Sequence, residues 1–129
     1  VIRHYDLLSS ADFVHCMAYD QPGQHSTVSF FESGIRLGQE KGFDLSKMTI
    51  GVPFYARHIR NGEPKTYYEI VDKLDDEVVD EYKHYYFNSR ITITKKTKIA
   101  ASAGLGGIMI WELGQDVQPL NDPRSLMTA

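Results

Sequence analysis

Three short apolar runs, each stopping abruptly and each separated from the next by a helix-length segment, constrain this chain more than any other feature. The first, Ala11 to Tyr19, stops at Asp20-Gln21-Pro22-Gly23, which is strong turn chemistry. The second, Met48 to Tyr55, is rich in β-formers and closes near Pro53, whose missing N–H cannot feed a sheet ladder. The third is Leu105 to Glu112.

Between the first two runs, Phe30, Phe31, Ile35 and Leu37 precede Gly42 and predict a helix over about Ser29 to Lys41. Between the second and third, Ile91, Ile99, Ala100 and Ala103 precede Gly104 and predict a helix over Ile91 to Ala103. The intervening stretch is less regular. His58 to Pro64 reads as loop, Thr66 to Leu74 as a short helix opened by a Thr66/Glu69 capping box, and Asp72 to Glu81 as an acidic, solvated run. Strand, helix, strand, helix, strand in alternation is the signature of βαβ units, because parallel neighbours need a crossover and are covered on both faces. The fold class is therefore α/β. An open doubly wound sheet and a closed barrel both fit this pattern.

At 129 residues, 42% hydrophobic and 24% charged, the chain has the composition of one globular domain at most. The net charge of -3, with no basic stripe, argues against a nucleic-acid partner. No apolar run approaches bilayer length, so no membrane partner is expected, and Val1 opens no basic and apolar leader, so no signal peptide is read. The lone Cys16, in an apolar run, reads as a small buried residue. The five histidines, His4, His15, His25, His58 and His84, show no metal-ligand spacing, and neither a metal nor a cofactor is expected.

The chemistry is expected at the strand ends. Tyr19 and Asp20 follow the first run, Tyr55 and Arg57 the second, and Trp111 ends the third. In a parallel α/β fold the carboxyl ends share one face, so these groups converge on one cleft. An indole, two phenols, an acid and a guanidinium suit a sugar, which offers an apolar ring face and many hydroxyls. Met17 and Met109, each two residues before a site residue, point by strand alternation to the same interior.

Three motifs carry a family resemblance: Met17-Ala18-Tyr19-Asp20, Gly51-Val52-Pro53-Phe54-Tyr55-Ala56-Arg57, and Gly104-Leu105-Gly106-Gly107-Ile108-Met109-Ile110-Trp111, in that order. The chain resembles glycoside hydrolase family 18, the chitinases, from roughly Ala11 to Asp116. The resemblance implies a partial TIM (β/α)8 barrel holding about strands 6 to 8 with their helices. Residues 1–129 would be the C-terminal part of one catalytic domain whose N-terminal half lies elsewhere. It implies hydrolysis of β-1,4-linked N-acetylglucosamine polymers by substrate-assisted retaining catalysis, in which the sugar's acetamido oxygen attacks the anomeric carbon and a glutamic acid protonates the leaving oxygen. That acid closes an Asp-x-x-Asp-x-Asp-x-Glu motif that this chain lacks.

By the same resemblance Tyr19 would orient the acetamido group, and Asp20 would tune the absent acid. Trp111 would form the floor beneath the sugar, and Tyr55 and Arg57, with Met17 and Met109, would complete the substrate-binding set. Chitin or chitooligosaccharide is the implied partner, and a secreted, extracellular protein the implied setting. Too few residues lie between Arg57 and Tyr85-Tyr86-Phe87-Asn88 for the extra α+β insertion of deep-cleft members, which predicts a shallow groove. A chitinase-like lectin, retaining stacking and hydrogen-bonding residues without hydrolysis, is the alternative, and an unrelated βαβ binding module is a third reading.

Overall fold

The computed structural model describes residues 10–74 and 79–129. Among the described residues there are three α-helices and seven strands, the strands forming two sheets: a parallel sheet of three and an antiparallel sheet of four.

The parallel sheet takes β1 (Val14–Cys16), β2 (Met48–Pro53) and β7 (Gly107–Trp111), in the order β1-β2-β7. Ile50 lies beside Cys16 on one side and Ile108 on the other. Each successive strand is added on the same side of the last, with no reversal of strand order. An arc of a barrel has this order, and so has one half of a doubly wound sheet before its order turns back on itself.

Helix α1 (Val28–Glu40) crosses from β1 to β2, one residue offset from the expected Ser29–Lys41. Thr27 caps it by accepting from the Phe30 N–H at 3.1 Å. Its buried face carries Phe31 and Ile35, which pack with Ile50 and Val52, each side chain contributing about 2 kcal/mol through burial. Helix α3 (Arg90–Ser102) starts at the Ser89 cap and stops where expected, with Gly104 at φ +73° and the Leu105 N–H returning to the Ala100 carbonyl at 3.1 Å. The two helices contact one another and share one face of the sheet. Cys16 is half-buried on that side, near Gly34. Among the described residues no helix is long and apolar enough to cross a membrane.

The first expected strand shrinks from Ala11–Tyr19 to three ladder residues. Beyond Cys16 the backbone leaves the ladder and turns tightly, the Ala18 N–H reaching the Cys16 carbonyl at 3.1 Å. The second ends at Pro53 as expected, but Tyr55 belongs to a new element.

That element is the second sheet, which lies where the sequence reads as loop and solvated run. It has the order β4-β3-β6-β5 and contains β3 (Tyr55–His58), β4 (Pro64–Thr66), β5 (Glu81–Tyr82) and β6 (Tyr85–Tyr86). A small α+β unit is thus present between β2 and α3, built from strands of two to four residues, too short to show a period of two in the sequence. Helix α2 (Tyr67–Val71) stands inside it, and the expected box is made: the Glu69 carboxylate accepts from the Thr66 N–H at 2.8 Å and from its hydroxyl at 2.7 Å. Of the acidic run, residues 75–78 lie outside the described residues.

Candidate functional site

The end of β2 and the start of β3 determine where the site forms. Pro53 stops the ladder, Phe54 donates its N–H to the Trp111 carbonyl at 2.7 Å, and the chain then swings Tyr55 and Arg57 across the end of β1. Both reach Asp20. The Tyr55 hydroxyl donates to Asp20 Oδ1 at 2.5 Å, and Arg57 donates from Nη2 to Oδ2 at 3.2 Å, with Nε 2.8 Å from Oδ1. A carboxylate held by a phenol and by an ion-paired guanidinium has little orientational freedom. Arg57 is itself tied back to the Gly62 carbonyl through Nη1 at 3.3 Å.

Asp20 sits at φ 70°, the left-handed region that costs a non-glycine residue on the order of 1–2 kcal/mol. That backbone turns its carboxylate, 42% exposed, toward Tyr55 and Arg57.

Tyr19 is buried, and its ring stands edge-on to Tyr55 with centroids 6.2 Å apart. Its hydroxyl points to Met109 Sδ at 3.8 Å. Burial, and secondarily the Asp20 charge, raise the Tyr19 pKa, so the phenol stays a proton donor well above neutral pH. Tyr55 is raised further, first by burial and then by its hydrogen bond to Asp20.

Gly51 makes room for this arrangement. A Cβ there would lie 2.6 Å from Tyr19 Cε1 and 3.0 Å from Met109 Cε, so only the bare backbone of β2 lets the two side chains meet over it.

Of the seven residues singled out from sequence, the structure gathers five: Tyr19, Asp20, Tyr55, Arg57 and Met109. Trp111 is the register partner of Pro53, which places it one strand away, with 51% of its surface exposed and a cis peptide to Glu112. Met17 lies beyond the β1 ladder and is 67% exposed, apart from the Tyr19 cluster. Tyr55 and Arg57, expected to contact substrate, both bind Asp20.

Sequence reasoning missed a second layer. His25 is wholly buried beneath Asp20 and Tyr55, with Nδ1 3.8 Å from Asp20 Oδ1 and its ring centroid 5.0 Å from that of Tyr55. Burial, reinforced by Arg57 and Lys96 and opposed by Asp20, lowers its pKa to about 4, so the imidazole is neutral at neutral pH. Behind it, Ser26, Asn88 and Lys96 form a buried polar cluster. One signal could have found Lys96: it shares the α3 face of Ile93 and Ala100, a lysine in an otherwise buried stripe. Among the described residues no group of three His, Cys, Asp or Glu side chains is placed to hold a metal ion.

Comparison with known proteins agrees with this architecture. The model of glycosyl hydrolases family 18 matches residues 3–116. Among solved structures, the family 18 chitinase ChiB from the chitin utilization locus of Flavobacterium johnsoniae is similar at 32% identity and a TM-score of 0.84, over 96% of this chain and 42% of that one. A chitinase from Bacteroides thetaiotaomicron is similar at 25% identity and a TM-score of 0.83, over 94% of this chain and 44% of that one. The chitinase-like agglutinin of Robinia pseudoacacia shares the fold, at 21% identity and a TM-score of 0.67, over 91% of this chain and 48% of that one. No curated protein gives a significant match. The chain spans less than half the length of these structures, which fits a partial barrel. With most of its length matched by the family model, the chain belongs to glycosyl hydrolase family 18.

Proposed function

We propose that this chain is the substrate-orienting, C-terminal part of a chitinase barrel, contributing strands 6 to 8 as β1, β2 and β7, with the leaving-group acid outside these 129 residues. The whole protein then hydrolyses β-1,4-linked N-acetylglucosamine polymers with retention, the acetamido oxygen of the substrate serving as nucleophile. One observation carries this reading. Tyr19, Asp20, Tyr55 and Arg57 meet at the carboxyl ends of adjacent parallel strands, with a half-exposed indole, Trp111, ending the next strand.

The chemistry follows from the geometry. A phenol kept protonated by burial donates a hydrogen bond at Tyr19, which holds an acetamido group in line with the anomeric carbon as positive charge develops there. Tyr55 and Arg57 fix the Asp20 carboxylate so that it faces the same point without reorganising. The Trp111 ring supplies a stacking surface worth about 1 kcal/mol beyond simple burial. A polymeric extracellular substrate places the protein outside the cell.

The test is release of soluble oligosaccharide from colloidal chitin by the intact protein, with the β-configuration retained in the product. Asp20→Asn should lower kcat by more than it raises KM, and equal losses in both would contradict the electrostatic role. The 129-residue chain alone should release nothing. Hydrolysis by that purified chain would overturn the placement of the acid outside it. Binding of chitooligosaccharide by an intact protein that never hydrolyses it would establish the lectin reading, which the likeness to the agglutinin fold favours.

A further inference from the structure

We infer that Lys96 is a positioning residue for Asp20: from helix α3 its ammonium anchors the loop that follows β1 and so holds the Asp20 carboxylate against Tyr55 and Arg57. This rests on the reading of Asp20 as part of a chitinase site.

Lys96 is fully buried on the inner face of α3, between Ile93 and Ala100. An apolar side chain would pack there without the cost of desolvating an ammonium, so the cation needs another reason to be present. That cost is visible in its pKa, which burial pulls down to about 7 against the opposing charge of Asp80. All three Nζ hydrogens are used, donated to the Ser26 carbonyl at 2.7 Å, Ser26 Oγ at 2.8 Å and Asn88 Oδ1 at 2.6 Å. The same Ser26 carbonyl accepts from Asn88 Nδ2 at 2.9 Å and from the Tyr86 hydroxyl at 3.4 Å. So much donation to one loop carbonyl fixes that loop from below.

The path to Asp20 is short. Ser26 Oγ donates onward to the Ala18 carbonyl at 2.7 Å, two residues before Asp20. The Gln21 N–H closes the loop on the His25 carbonyl at 3.2 Å, and the His25 ring fills the space between Tyr55 and Tyr86. The loop itself, Gln21-Pro22-Gly23-Gln24, has little apolar surface with which to pack. Asp20 moreover holds an unfavourable left-handed backbone, which persists only when its surroundings over-determine it. Lys96 closes that constraint from the opposite side of the fold.

A double-mutant cycle in the intact enzyme tests this. Lys96→Met keeps the length of the side chain and removes its donors. It should lower kcat roughly 10- to 100-fold with KM within about 3-fold, since misplacing an orienting group by about 1 Å costs up to that much. If Lys96 acts through Asp20, adding Lys96→Met to Asp20→Asn should cost less than about 3-fold more, because effects that share one route do not add. The same factor in both backgrounds, or a kcat for folded Lys96→Met within about 2-fold of wild type, overturns the inference. Should Lys96→Met fail to fold, Ser26→Ala removes the hydroxyl that bridges Lys96 to the Ala18 carbonyl, keeps the backbone carbonyl that Lys96 also holds, and enters the same cycle, with a loss of about 3- to 10-fold expected.

Hydrogen exchange separates this inference from the chitinase reading. Amides 20–27 should exchange at least about 10-fold faster in Lys96→Met, with those of α1 beyond its first turn unchanged. Unchanged exchange in the loop overturns the anchor. Absence of chitin hydrolysis by the wild type overturns the function alone.

Discussion

Gly51→Ala is the most direct test of how the site is built, because the perturbation is one methyl group whose neighbours are known. The new Cβ would stand 2.6 Å from Tyr19 Cε1, 3.0 Å from Met109 Cε and 3.2 Å from the Cys16 carbonyl oxygen. The carbonyl belongs to the adjacent strand and cannot yield much, so the Tyr19 ring must retreat by on the order of 1 Å to restore an ordinary contact. Overpacking of this kind costs roughly 1–3 kcal/mol of stability. Its effect on turnover should be larger than that suggests: a misplacement of about 1 Å at an orienting group reduces rate by up to ~100-fold, and the loss should fall on kcat more than on KM. Steady-state kinetics on a chitooligosaccharide, with thermal unfolding in parallel, gives both numbers. Gly38→Ala is the control, since its Cβ would meet the flexible Met48 thioether at 2.7 Å, away from the site, and should lower stability while leaving kcat close to wild type. If Gly51→Ala folds and turns over within about 2-fold of wild type, Tyr19 does not act by its position and the proposed orienting role fails.

Two further outcomes follow from buried groups. His25 has its pKa lowered from 6.5 to about 4, so the unfolded chain binds the extra proton first as pH falls, and about 3 kcal/mol of stability should be lost between roughly pH 6.5 and 4. Urea unfolding across that range should show the loss in wild type and a flatter profile in His25→Phe; parallel profiles would mean that His25 is not the titrating group. Asp116, wholly buried, accepts from Ser125 Oγ at 2.6 Å and from the N–H groups of Val117, Leu126 and Met127 at 2.8, 3.0 and 3.2 Å. Asp116→Ala strands these donors and should destabilise by roughly 3 kcal/mol or more, read as a lowered Tm, with a change under about 1 kcal/mol contradicting a structural role for these bonds.

The parallel layer, and most of the side chains that gather in the candidate site, are legible in the sequence. The turn chemistry at Asp20-Gln21-Pro22-Gly23, the prolyl stop at Pro53 and the glycines after both long helices are local signals, each acting within a few residues, so the three strands and two helices could be read without tertiary information. Tyr19, Asp20, Tyr55 and Arg57 were legible for the same reason, since carboxyl ends of parallel strands must share one face. Tertiary structure alone decided three things. Likeness to solved family 18 structures over nearly the whole chain selected the barrel arc over the doubly wound sheet, because βαβ alternation and three strands in order are common to both. The antiparallel sheet around β3 depends on pairing between residues as far apart as Arg57 and Tyr86, which no short window contains. The buried layer under Asp20 escaped notice because His25, Ser26, Asn88 and Lys96 are polar residues that a sequence assigns to the surface. For Ser26, Asn88 and Lys96 only the donors and acceptors brought together from three separate segments offset the cost of burial, and with it fix Tyr19 and Asp20 at the strand ends.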